Sequence, residues 1–135
     1  MINLIPGKKG TGKTKILIDN IREGLSTATG NVVCIERGMK LTYDIPHKVR
    51  LVDAEEYGIN SFDAFYGFVA GMLAGNYDIK DVFVDGILKI CGRDYDALGT
   101  LFEKLDKLTG DEACIVFTVS ADESELPESV KQFIK

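Results

Sequence analysis

Eight residues near the amino end, Gly7-Lys8-Lys9-Gly10-Thr11-Gly12-Lys13-Thr14, set three glycines, an ammonium group and a hydroxyl at intervals that suit an anion. Glycine lets successive backbone N–H groups turn inward around a phosphate, where a Cβ would obstruct the approach. The run satisfies G-x-x-x-x-G-K-[ST], a pattern that a chain of this composition contains by chance about once in a hundred. The chemistry implied is a nucleoside triphosphate cradle formed by Gly7, Lys8, Lys9, Gly10, Thr11, Gly12, Lys13 and Thr14. Lys13 reaches the β- and γ-phosphates, and the Thr14 hydroxyl ligates Mg²⁺.

Such a loop works only between a strand and a helix, and both are legible. Ile2, Leu4 and Ile5 give a short apolar strand before it, and Leu17, Ile18, Ile21 and Leu25 recur at helical spacing after it. Further along, Asn31–Glu36 reads as a buried strand with a polar end, followed by a shorter strand at Val49–Asp53. Between these two, Gly38 and Pro46 argue for an irregular crossover or a small hairpin turning at Arg37-Gly38. Ser61 is placed to cap a helix carrying Phe62, Phe65, Phe68, Val69, Met72 and Leu73, with Gly75 as its stop. The aromatic stripe is read as core. A strand then ends at Asp85, a helix carries Leu98, Leu101, Phe102, Leu105 and Leu108 up to Gly110, and Ala113–Val119 forms a last strand. Leu126, Val130 and Phe133 fit a short terminal helix. Alternating elements with continuously apolar strands predict an α/β three-layer sandwich with a mostly parallel sheet.

The length of 135 residues and 45% hydrophobic content fit a single nucleotide-binding domain spanning residues 1–135. No apolar run approaches the roughly 18 residues that cross a bilayer, and no leader pattern precedes the first strand, so a cytoplasmic location without membrane attachment is expected. Cys34, Cys91 and Cys114 are odd in number and widely spaced, which leaves neither a disulfide framework nor a C-x-x-C metal pair. His47 stands alone and excludes a two-histidine metal site. A net charge of −5 argues against broad contact with nucleic acid, yet Lys8, Lys9, Lys13 and Lys15 concentrate positive charge at the loop.

On Gly7–Thr14 and on Val82-Phe83-Val84-Asp85, with strand–helix alternation along the full length, the chain resembles the P-loop NTPase superfamily. More narrowly, through Glu56-Tyr57-Gly58-Ile59, Phe65-Tyr66-Gly67-Phe68 and Ser120-Ala121-Asp122-Glu123, it looks like a family of small bacterial ATP-binding P-loop proteins. The resemblance implies that Asp85 holds Mg²⁺ from a strand end near the loop. Asp53, after Leu51-Val52, is the competing carboxylate. It also implies a RecA-like strand order, in which the Ala113–Val119 strand separates the loop strand from the Asp85 strand. Hydrolytic branches often carry a Glu directly after that Asp, where this chain has Gly86. Glu36, at the end of the second strand, is where some recombinase-like members keep an equivalent base. Ser120, with Thr118 as alternate, is placed either to sense the γ-phosphate or to cap the turn into Asp122 and Glu123. None of Arg22, Arg37, Arg50 and Arg93 stands at a position diagnostic of a transition-state finger.

These residues point to an Mg²⁺-dependent ATP-binding protein with weak or partner-stimulated hydrolysis, its chemistry carried by Lys13, Glu36 and Ser120. The alternative is a nucleotide-responsive switch or adaptor that does not hydrolyse. A small-molecule kinase fits less well, since no arginine-rich lid follows Asp85. Adenine is favoured because no Asn-Lys-x-Asp guanine reader is present. Beyond the nucleotide, the expected partner is an unidentified protein; the oligomeric state is open.

Overall fold

A computed structural model describes residues 1–134. Five strands form one sheet: β1 (Ile2–Pro6), β2 (Asn31–Glu36), β3 (Arg50–Asp53), β4 (Ile79–Asp85) and β5 (Cys114–Val119). Every pairing is parallel, in the order β1-β5-β4-β2-β3, so β5 does separate the loop strand from the Asp85 strand. The helices are α1 (Lys13–Thr27), α2 (Phe62–Gly75), α3 (Ile87–Cys91), α4 (Tyr95–Thr109) and α5 (Glu128–Lys131), with a 3₁₀ turn at Glu123–Glu125.

Successive residues of a strand face opposite sides of the sheet, and that parity sorts the core into two layers. One face, carrying Val33, Ile35, Val82, Val84, Ile115, Phe117 and Val119, packs against Phe65 and Val69 of α2 and Leu98, Leu101, Phe102 and Leu105 of α4. Phe117 sits between Phe65 and Phe102, with ring centroids 6.0 and 4.7 Å away. The other face, carrying Val32, Cys34 and Phe83, packs against Leu17 and Ile21 of α1 and against Leu41, Ile45 and Val49. Ser61 caps α2 by accepting the Ala64 N–H at 3.1 Å, and α2 ends at Gly75, both as the sequence predicts.

Of the two forms left open for the crossover the irregular one is found, with no hairpin at Arg37-Gly38, and two other local readings need correction. The Gly38 N–H instead donates to the Asp53 carboxylate at 2.8 Å, and the crossover is a series of turns whose apolar residues cover α1. A five-residue helix, α3, follows Gly86, where the sequence reading places no element. After β5 the cap is Asp122 rather than Ser120: its carboxylate accepts the Ser124 N–H at 3.2 Å, while the Glu125 carboxylate accepts the Asp122 N–H at 3.3 Å.

Candidate nucleotide site

The carboxyl ends of four parallel strands open into a cavity of about 910 Å³. Lys8, Lys9, Gly10, Gly12, Lys13 and Thr14 form one wall, whereas Gly7 and Thr11 of the predicted cradle do not line it; Asp85 and Gly86 lie in the middle, Glu36 and Arg37 stand on the far side, and Thr118, Ser120 and Ala121 close the end of β5. A crevice outside the carboxyl ends of the strands is where open α/β sheets bind ligands.

Parity explains which side chains arrive there. The α1-facing rows are Val32-x-Cys34, Phe83 and Val116, and two residues beyond their last apolar members stand Glu36, Asp85 and Thr118. One face of the sheet therefore turns from apolar to polar at its carboxyl end, beside the first turn of α1. Thr14 Oγ1 lies 3.3 and 3.4 Å from the two Asp85 oxygens. The Thr118 hydroxyl donates to Asp85 Oδ1 at 2.8 Å and accepts the Gly86 N–H at 2.7 Å. These bonds aim the Asp85 carboxylate at the loop. Asp53, the competing carboxylate, is occupied elsewhere by the N–H groups of Gly38 and Glu55.

The start of α1 departs from helix rules in an informative way. Gly12 takes the left-handed conformation at φ 85°, and no side chain caps the helix. Its first turn contains no acid, whereas α2 and α4 begin with Asp63 and Asp96 behind the caps Ser61 and Asp94. Lys13 and Lys15 instead place cations at the positive end of the macrodipole, against the usual preference. An anion there would satisfy the open N–H groups and the charges together.

Lys13 is only 8% exposed, and its ammonium donates to the Lys8 carbonyl at 2.9 Å. Burial lowers its pKa; Asp85 opposes that shift and Lys89 adds to it. Glu36 is 3% exposed and accepts the Leu41 N–H at 2.8 Å. Burial pushes its carboxyl above the usual range, the Leu41 N–H works against this, and the neighbouring Asp85 charge adds to it. Glu36 and Asp85 are register partners on adjacent strands.

Ser120 lines the cavity, but its carbonyl is what the structure engages, accepting from Arg93 at 3.1 Å; the buried hydroxyl beside Asp85 is that of Thr118. Lys15 lies outside the cavity lining. Lys40 and Lys89, which sequence reading missed, and Arg37 and Arg93, which it named without a diagnostic position, line it from outside the loop. Strand parity, counted back from Asp85 and across to β5, would have singled out Thr118. No comparable signal exists for the cations, because they come from turns and from α3.

The residues suit Mg²⁺. A hydroxyl and a carboxylate converge, both oxygen donors, and this ion takes few protein ligands beside phosphate oxygens. Among the described residues no cluster of three or more His, Cys, Asp or Glu side chains forms a dedicated metal cage, and no helix is long and apolar enough to cross a membrane.

No protein-family profile matches the chain, and no curated protein matches it. Among solved structures it is similar to the flagellar accessory protein FlaH from Methanocaldococcus jannaschii, with a TM-score of 0.60 at 17% identity. The match covers 97% of this chain and 65% of the FlaH chain, so the present chain spans less than two thirds of that neighbour. At this identity the likeness establishes architecture: an α/β fold with an all-parallel five-stranded sheet flanked by helices, shared with FlaH.

Proposed function

We propose that the chain is an Mg²⁺-dependent ATP-binding protein of the P-loop class, acting in the cytoplasm, whose NTP hydrolysis is weak or stimulated by a protein partner. The observation that carries this reading is the meeting of Thr14 Oγ1 with the Asp85 carboxylate at 3.3 Å, beside Lys13 and the uncapped start of α1. Thr14 and Asp85 would hold Mg²⁺, which would supply neutralisation of phosphate charge. The loop N–H groups and Lys13 hold the phosphates, and Thr118 keeps Asp85 oriented.

In hydrolysis a water oxygen bonds to the γ-phosphorus, the bond from that phosphorus to the β–γ bridging oxygen breaks, and the water proton passes to a base. Glu36 is the carboxylate in reach of the cavity whose raised pKa favours taking a proton. Slow turnover follows from two features. Position 86 carries no carboxylate, and the guanidinium groups of Arg37 and Arg93 are tied to the carbonyls of Lys89 and Ser120. An arginine supplied by a partner accelerates such reactions by about 10³ to 10⁵.

A second reading, a nucleotide-responsive switch without hydrolysis, draws on the Glu36 carboxylate being already engaged by the Leu41 N–H. In that case Glu36 couples the site to the 38–49 crossover rather than to water. Titrating ATP and Mg²⁺ against the purified chain while following thermal unfolding tests nucleotide binding: at a hundred times Kd the ligand adds about 2.7 kcal/mol. Lys13→Ala abolishes that gain, and a parent chain with no gain ends the proposal. Single-turnover hydrolysis no faster than Lys13→Ala leaves only the switch.

A further inference from the structure

The residue after Asp85 marks where this chain parts from hydrolytic P-loop proteins. Gly86 is buried and left-handed, at φ 73°, and it opens α3. A methyl group placed there would lie 3.6 to 3.8 Å from Cδ, Cβ and Cγ of Lys89, so the lysine stem folds back over the glycine at ordinary contact distance. The stem thereby packs on Gly86, and Lys89 lines the same cavity as Gly86, Lys13, Thr14 and Asp85.

Lys89 differs from the two arginines on that wall. Arg93 donates to the Ser120 carbonyl at 3.1 Å and to the Tyr95 hydroxyl at 3.3 Å, and Arg37 donates to the Lys89 carbonyl and pairs with Glu55 at 3.9 Å. Among the described residues the Lys89 ammonium has neither a hydrogen bond nor an ion pair. Its charge is nonetheless felt by Lys13, whose protonated form it disfavours. Two ammonium groups facing one cavity repel until an anion sits between them. With the β-phosphate held by the loop, the group that projects furthest into the cavity is the terminal phosphoryl.

We propose that Lys89 is a second cation on the terminal phosphoryl group, binding its oxygens opposite Lys13 and making the site prefer a nucleoside triphosphate to a diphosphate. The inference rests on the nucleotide-binding reading above. It places within the chain a charge of the kind that other P-loop proteins draw from a partner, and it puts an ammonium in the region where hydrolytic members place a carboxylate.

The test is equilibrium binding of Mg²⁺ with AMP-PNP, a non-hydrolysable ATP analogue, and of Mg²⁺ with ADP, at one fixed ionic strength. The parent, Lys89→Met and Lys89→Arg are compared. Lys89→Met weakens AMP-PNP by about tenfold or more, as expected for a charge-assisted bond, while ADP changes by less than about twofold. Lys89→Arg keeps most of the preference. Lys89 is exposed, so unliganded Met and Arg variants melt with the parent. Equal loss for both nucleotides, or no loss for either, overturns the role of Lys89 and leaves nucleotide binding standing. A parent that binds neither nucleotide overturns both.

Discussion

The two faces of the sheet are built from the same strands and end differently. On the α2–α4 face the rows Val33-x-Ile35, Val82-x-Val84 and Ile115-x-Phe117-x-Val119 are apolar throughout. On the α1 face each row becomes polar at its last step, in Glu36, Asp85 and Thr118. The first face is built for packing and its layer gathers three buried phenylalanines, Phe65, Phe102 and Phe117, against Phe83 alone on the second. The second surrenders packing at its rim to hold a buried carboxyl, an oriented carboxylate and a shared hydroxyl. Stability and chemistry thus separate by strand parity, so substitutions one residue apart should have different signatures.

The largest effect is expected on the packing face. Phe117→Ala removes a fully buried ring between Phe65 and Phe102 and costs about 3–5 kcal/mol in chemical denaturation. Nucleotide affinity of the folded fraction stays at the parent value. A Phe117→Ala chain of normal stability with impaired binding would break the division between the faces.

Next comes the rim. Glu36→Gln keeps an acceptor for the Leu41 N–H but cannot take a proton, and single-turnover hydrolysis falls by about 10² to 10⁴. The sign of its pH effect follows from burial. The folded chain keeps a proton on Glu36 at a pH where the unfolded chain has released it, so parent stability falls as pH rises from the ordinary carboxylate range through the raised value. The Gln variant lacks that slope. Its stability relative to the parent should therefore rise across the window, and denaturation over a pH series checks it. A constant difference would mean that Glu36 is not held protonated by its surroundings.

How much of this could be read before folding differs by element. The β1-β5-β4 order followed from the superfamily resemblance, while the loop between β1 and α1, the alternation of strands and helices and the Ser61 cap were legible because each has a local or periodic signature. Helix α3 was not, since Asp85-Gly86 reads as a turn and five residues are too few for a periodicity. By sequence Thr118 ranks behind Ser120, because a sensor is expected at the polar end of the last strand. The strand ends at Val119, however, and the register Val84↔Phe117 brings Thr118 beside Asp85. The 37–49 crossover stayed obscure because its order is set by contacts with α1 and by Asp53, neither adjacent in sequence.

Thr118→Val gives the smallest effect and the sharpest comparison, since it lies next to Phe117 on the opposite face. Valine matches the shape of threonine, and at 1% exposure no water can replace the lost hydroxyl. The Gly86 N–H and Asp85 Oδ1 each lose their short bond to it, which costs about 1–3 kcal/mol. Unlike Phe117→Ala, this change should also raise the Mg²⁺ concentration needed for nucleotide-dependent stabilisation, because Asp85 is no longer aimed at Thr14. Thr118→Ser separates the two contributions: it restores both hydrogen bonds, and with them the Mg²⁺ response, while losing only a methyl group. If Val and Ser behave alike, with both retaining the parent Mg²⁺ requirement, then the polar rim of the α1 face does not orient Asp85.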